Sequence, residues 1–463
     1  MSEDYDALVV GGGAEGLVAA ALLAKAGLRT LLLERSAVLT DPVAGADLRG
    51  LDPVLVKRLR LARHGLGFAV RDLSLTVLHQ GGVNAVIGRD RYATARSLAA
   101  LSQADAKAHA GFRRELFTLA RALRPAWWSG AALEDVLVQL KPEQHELFER
   151  LRVTSALAWL ASHFESDPLR AAVAFTAAEC GAAPSEAGSA LALVWAAAQE
   201  MCGLQGAAAV PQGGVLGLLR ALTEAAHASG AEIRTNTAIA RLTTAGGAVT
   251  GAELLNGERI AAPLILSALG RRDTLLGLLP PGEIGLGATR ALNRPAPSLD
   301  CATLVFTLAP EFAVPRNTRA VIAERPEIYE AALAAARLGT PPREPALELV
   351  ALPQAAGEPG PRLLSVRAWP SQERNDFVPT VTAMIERHMP GFAQAVKSCD
   401  VLAPPAGEPF GVERLLAGAR ARIDTPLRGL FLCGADAEPL NALCGRAARQ
   451  AADFAIAEFK RAR

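Results

Sequence analysis

Three glycines and one carboxylate near the start of the chain have the types and spacing to hold a dinucleotide. Gly11, Gly13 and Gly16 stand in the run Gly11-Gly12-Gly13-Ala14-Glu15-Gly16, and Glu34 follows eighteen residues after the last of them. In a Gly-x-Gly-x-x-Gly turn the first glycine permits the tight bend. The second lets backbone amides approach a pyrophosphate, and the third lets the following helix lie close to the strand. A carboxylate at the end of the next strand accepts hydrogen bonds from a ribose 2′-hydroxyl, which favours FAD or NAD over NADP. The spacing alone can also describe a plain turn, so the flanking elements decide its weight.

Those elements are present in the right order. Residues 7–10 read Ala-Leu-Val-Val, a short apolar strand of the kind buried on both faces, and they run directly into the turn. The helix predicted over 17–26 points unpaired N–H groups and a positive partial charge at the anion. Gly27 ends it, and a second apolar strand at 30–33 delivers Glu34.

The chain has 463 residues, enough for two or three domains with sizeable cores. Its 48 basic and 47 acidic residues give no field that would attract nucleic acid, and no basic run is interleaved with aromatics. Hydrophobic residues make up 51% but aromatics only 5%, so the apolar surface comes from Ala, Leu and Val, as suits close-packed helices. The best apolar run, at 190–198, is too short to span a bilayer, which needs about 18 residues or more. The six cysteines form no Cys-x-x-Cys pair and no metal-like cluster with the seven histidines, and they read as reduced buried thiols. With a nucleotide-binding strand starting by residue 6 there is no room for a targeting peptide, so a cytoplasmic location is expected, with peripheral membrane contact left open.

Along the chain, a helix is expected at 53–64 and a hairpin at 74–79 and 83–87 around Gly81-Gly82. Residues 93–204 read as an inserted helical region, broken by Pro125, Gly130, Pro142, Pro168 and Pro184. A second glycine turn and helix begin at Pro211-Gln212-Gly213-Gly214. They lead to a strand at 232–235, a hairpin at 238–243 and 249–255, and a strand at 264–268. Residues 286–404 change style, with strands at 302–307, 346–351 and 363–369 and helices at 327–336 and 378–388; 353–361 reads as a surface turn. A last strand enters a glycine turn at 429–436, and a helix at 445–461 closes the chain.

Four blocks carry a resemblance: the opening run 5–35, LARHGLGF at 61–68, the stretch 210–242, and GLFLCGAD at 429–436 before GRAARQAA. Together they resemble the phytoene desaturase-like FAD-dependent oxidoreductases. The resemblance implies an α/β Rossmann-type FAD-binding domain, a mixed sheet with a parallel core, and an α+β substrate domain built from insertions. It divides the chain into 1–92, 205–285 and 405–463 for the FAD-binding domain, 93–204 for the helical insertion and 286–404 for the substrate sheet. It implies FAD held by Gly11, Gly13, Ala14, Glu15, Gly16, Glu34 and Arg35, with backbone groups of Ile239 at the adenine. Gly434, Asp436 and the Gly445 region come to the ribityl chain and ring. Implied with it is hydride transfer between a hydrophobic small molecule and flavin.

The chain departs from that pattern in two places. Residues 35–45 carry one glycine where relatives have a Gly-Gly pair, and 437–444 read Ala-Glu-Pro-Leu-Asn-Ala-Leu-Cys where relatives are glycine-rich. A second reading therefore stands beside the first: a flavin-fold protein acting as an interaction scaffold. An NAD-linked dehydrogenase is weaker, because the closing Gly-Ala-Asp block and the adenine-side hairpin belong to a FAD layout. No side chain is named as a catalytic acid or base. His64 reads as a helix-end residue, Trp127 and Trp128 as core or interface, and Cys433 and Cys444 as inert thiols rather than links to a flavin. Arg446 and Arg449 are candidates for a phosphate or the flavin carbonyl, and equally for solvent-facing helix charges.

Overall fold

In the computed structural model the described residues are 3–39, 46–80, 84–294, 299, 301–340, 342–352, 362–370, 377–402, 410–440 and 443–462. The turn residues expected at 41–45, the hairpin tip Gly81-Gly82 and the turn at 353–361 lie outside them.

Four short apolar runs and one charged edge strand build one parallel sheet: Ala7–Val10, Thr30–Leu33, Leu264–Ser267 and Leu430–Leu432, with Glu232–Arg234 at the edge. Numbered in chain order they lie side by side as 3-2-1-4-5, every pair parallel. This is the doubly wound arrangement, whose strand order reverses between the first and fourth strands. The first, second, fourth and fifth strands are buried at every residue, which is why they read as continuous apolar runs without alternation.

Helix Ala14–Lys25 packs on one face of this sheet beside Gly214–Ala228 and the closing helix Arg446–Ala462. Leu17, Leu22 and Leu23 of the first helix are fully buried, and each such side chain contributes about 1.5–3 kcal/mol. Gly16 lets the helix come this close. A Cβ there would lie 1.9 Å from the Gly11 carbonyl oxygen, and a Cβ at Gly217 would lie 1.9 Å from that of Gln212. The two glycine turns therefore share one device. The other face is covered by a small sheet containing the hairpin Ile239–Ala245 and Ala248–Leu254.

The second large sheet has seven strands, in the order Val396–Leu402, Ala302–Leu308, Arg362–Trp369, Ala346–Ala351, Thr318–Ile322, Ser74–Leu78, Ala85–Ile87. The hairpin expected early in the chain is present, and Ser74–Leu78 pairs in parallel with Thr318–Ile322, so it extends this sheet. Helix Phe377–His388 and Phe392 cover one face.

Helices fill much of the region between. Gln103–Trp128 is continuous through Pro125, against the expected break there. The missing N–H falls in the last turn, and the Ser129 amide still donates to the Pro125 carbonyl at 3.1 Å. The helix expected at 53–64 is divided instead: Pro53–Leu59 ends at Arg60, whose φ is 54°, and a tighter turn Leu61–His64 follows. Ala190–Ala198 is core, and among the described residues no helix is long and apolar enough to cross a membrane.

Candidate functional site

The carboxyl ends of the first, fourth and fifth parallel strands meet where the strand order reverses, the place where such sheets bind ligands. Gly11 leaves the first strand with φ 98°, and a Cβ on it would lie 3.5 Å from Ala268 Cβ at the end of the fourth. Gly434 leaves the fifth, and a Cβ there would lie 2.5 Å from the Ala268 carbonyl oxygen. Gly13 caps the first helix with extended backbone and no side-chain cap, so the positive end of the helix lies beside the turn. Ala14 and Gly16 are buried in that turn.

Glu34 stands half-buried at the tip of the second strand. Its carboxylate accepts from the Gly12 amide at 2.7 Å and the Ser36 amide at 2.8 Å, one bond to each oxygen. Each carboxylate oxygen has more than one acceptor site, so the fixed group can still receive sugar hydroxyls. The Thr237 amide donates to the Glu34 carbonyl at 2.8 Å, which brings the start of the strand at Ile239 alongside. Arg35 is exposed, and Ile239 is half-buried.

The other end of the crevice is built differently. Glu15, 4% exposed, accepts from the Gly445 amide at 2.8 Å and the Cys444 amide at 3.2 Å, at the amino end of the closing helix. Asp436 accepts from the Arg271 amide at 2.6 Å. Arg446, fully buried, donates to Gln199 at 2.9 Å, lies 3.5 Å from Glu438 and stands over the Trp128 ring at 4.7 Å. Arg449 is held by Asp52 at 2.6 Å, so neither arginine is a free solvent charge.

Beside this end lies a cluster that no local sequence signal announces. Glu348 receives Arg49 at 2.9 Å, Arg319 at 2.6 Å and Arg367 at 2.7 Å. Asp47 pairs with Arg367, and Glu179 with Arg49 and Arg367. The six charges join the loop after the nucleotide unit, the end of the helix Asp167–Glu179 and three adjacent strands of the seven-stranded sheet. Burial alone would raise the Glu348 pKa, but Arg319, Arg49 and Arg367 outweigh it and hold the group down to about 2. Arg49 is lowered to about 10, first by burial and then by Arg319.

The remaining candidates fall to packing. His64 ends its tight turn, with Gly65 beyond it at φ 90°. Trp127 is buried and donates to the Leu415 carbonyl at 3.0 Å. Burial pushes the Cys433 and Cys444 thiols well above the ordinary range, so neither offers a thiolate at neutral pH. Among the described residues no group of His, Cys, Asp or Glu is arranged to hold a metal ion.

A parallel sheet with a glycine-turn nucleotide site and a separate antiparallel-rich sheet defines the Rossmann-type flavoprotein class. The family model described as flavin containing amine oxidoreductase matches residues 54–336, and a model of the NAD(P)-binding Rossmann-like domain matches 9–40. The chain belongs to the flavin containing amine oxidoreductase family, and FAD is the cofactor its Rossmann-type domain serves. It is similar to the mouse pyridine nucleotide-disulfide oxidoreductase domain-containing protein 2, 27% identical with 99% of this chain and 94% of that protein covered.

Two solved structures share the fold. A putrescine oxidase double mutant from a redesign of cofactor binding has a TM-score of 0.66 at 14% identity, covering 100% of both chains. An oxidoreductase from Methanosarcina mazei has 0.63 at 16%, covering 97% of this chain and 99% of that one.

Against FAD, the residues present fit at the adenosine end, where the Gly11 to Gly16 turn presents the amino end of the first helix and Glu34 supplies the acceptor. At the ring end they fit less freely, because Glu15 takes two amides at the start of the closing helix.

Proposed function

We propose that the chain is an FAD-dependent oxidoreductase that moves a hydride between a hydrophobic small molecule and flavin. The observation that carries this is the position of the glycine turn at the reversal point of the 3-2-1-4-5 sheet, with Glu34 at the end of the neighbouring second strand and bonded to the Gly12 amide. In this reading Gly11, Gly13, Ala14, Glu15 and Gly16 surround the pyrophosphate, and Glu34 receives the ribose hydroxyls with Arg35 beside it. Ile239 lies at the adenine, and Gly434 and Asp436 face the ribityl chain. FAD supplies the hydride site at flavin N5, which is the difficult part of the chemistry. The protein's share is alignment and exclusion of water, for which the Ala- and Leu-rich helices supply apolar walls. The likeness to phytoene desaturase-like enzymes in the four sequence blocks supports an apolar substrate.

A second reading, a flavin-fold protein serving as an interaction scaffold, draws support from the hold of Glu15 on the closing helix and from the loss of glycines at 35–45 and 437–444. The absorption spectrum of the purified protein, before and after FAD is supplied, separates the two. The oxidoreductase is yellow and bleaches with dithionite. A folded protein that stays colourless in excess FAD contradicts it.

A further inference from the structure

Glu15 is placed unusually for a residue of a nucleotide turn. It lies in the first turn of the helix Ala14–Lys25, yet its carboxylate is turned into the protein and reaches 430 residues ahead, to the amides of Cys444 and Gly445. Gly445 has φ 68° and opens the closing helix Arg446–Ala462, 17 residues long. The amino ends of two long helices thus converge on one carboxylate that is 4% exposed, and both helix dipoles favour its charge. The two helices also pack directly: a Cβ on Gly445 would lie 3.7 Å from Val18 Cγ2. The same carboxylate contributes, after burial, to the raised pKa of Cys433 on the fifth strand. Glu15 therefore stands where the nucleotide turn, the fifth strand and the closing helix meet.

We propose that Glu15 is the residue that sets how tightly this chain holds FAD. This rests on the function proposed above. Its carboxylate is an internal anion at the closing helix, beside Glu438, which accepts from the Ala447 amide at 2.7 Å, and it ties that helix to the nucleotide turn. A dinucleotide brings a negatively charged diphosphate to the amino end of the first helix, beside this carboxylate. Its flavin end also competes for the closing-helix amides that Glu15 already holds. Both effects act against FAD, and only the first acts against ADP. FAD is accordingly bound loosely and exchangeably, and removing the Glu15 charge favours the flavin half more than the adenosine half. Glu15 is thus an affinity-setting residue, with no part in the hydride step.

The test is a titration of wild type, Glu15→Gln and Glu15→Ser with FAD and, separately, with ADP, each folded by circular dichroism. Glutamine keeps an acceptor for the Gly445 amide and removes the charge; serine removes the charge, and its shorter side chain withdraws the acceptor from that amide. The expected result is FAD affinity raised tenfold or more in Glu15→Ser and by a smaller factor in Glu15→Gln, with an ADP gain at least threefold less than that for FAD. Hydrogen exchange at Gly445 should quicken in nucleotide-free Glu15→Ser and slow again with FAD. ADP uptake with FAD affinity unchanged or lower in both variants, or equal gains for both nucleotides, overturns this inference alone. Proteins that take up neither nucleotide, wild type and variants alike, overturn the proposed function and this inference together.

Discussion

The two ends of the crevice solve the same problem in opposite ways. At the glycine-turn end the chain uses backbone: a glycine turn, a first helix whose N-cap is a glycine, and one fixed carboxylate. At the other end it uses paired side-chain charge. Glu15 holds the closing helix, Arg446 is buried against Gln199 and Glu438, and Glu348 gathers three arginines close by. Backbone amides and the amino end of a helix suit an anionic ligand, whereas buried charges must be matched within the protein because isolated ones are too costly. The first end is therefore organised for something that arrives, and the second is held by what is already there.

That contrast predicts different responses to substitution. The largest effect is expected from Glu348→Ala, which removes the fully buried acceptor that Arg49, Arg319 and Arg367 share and leaves three arginines to Glu179 and Asp47. Breaking such a buried network costs about 3–5 kcal/mol, read as a drop in the urea midpoint. A variant as stable as wild type would show that the cluster is not what ties the nucleotide unit to the substrate sheet. Gly16→Val should follow, because its Cβ would stand 1.9 Å from the Gly11 oxygen. Overpacking of this kind costs about 1–3 kcal/mol, and here nucleotide uptake should go with it. Retained ADP binding in a folded Gly16→Val protein would separate the turn from the site.

A subtler difference should appear in acid. Glu348 has a pKa lowered from 4.5 to about 2 in the folded chain, so its stabilisation is complete above about 4.5 and lost as pH falls toward about 2. Stability measured across that window should fall in wild type and fall less steeply in Glu348→Gln. The smallest effect is expected from Leu286→Ser. Leu286 is 77% exposed and touches neither end, so the change in stability should stay within about 0.5 kcal/mol.

The elements of the glycine-turn end are legible almost whole in the sequence, because their determinants are local. Strand, turn, helix and acidic residue fall within 28 residues, from Ala7 to Glu34, and each has its own signature. The same holds for the hairpin around Gly246-Gly247 and for the closing strand and helix. The side-chain end was hidden because it is assembled from distant positions. Asp47, Glu179 and Glu348 are scattered across three styles of sequence, and nothing near any of them marks a buried charge. Glu15 was legible as part of the nucleotide turn, but its hold on Gly445 depends on how two helices pack. In the seven-stranded sheet two strands carry no clear sequence signal: Thr318–Ile322 is short and places Arg319 in the charge cluster, and Val396–Leu402 is a largely exposed edge without apolar alternation.

The account stands most directly on the carboxylate at the tip of the second strand. Calorimetric titration of FAD into wild type and Glu34→Ala should give one site per chain in wild type and an affinity at least tenfold lower in the folded variant. Equal affinity in the two proteins would contradict the placement of the ribose, and with it the dinucleotide site itself.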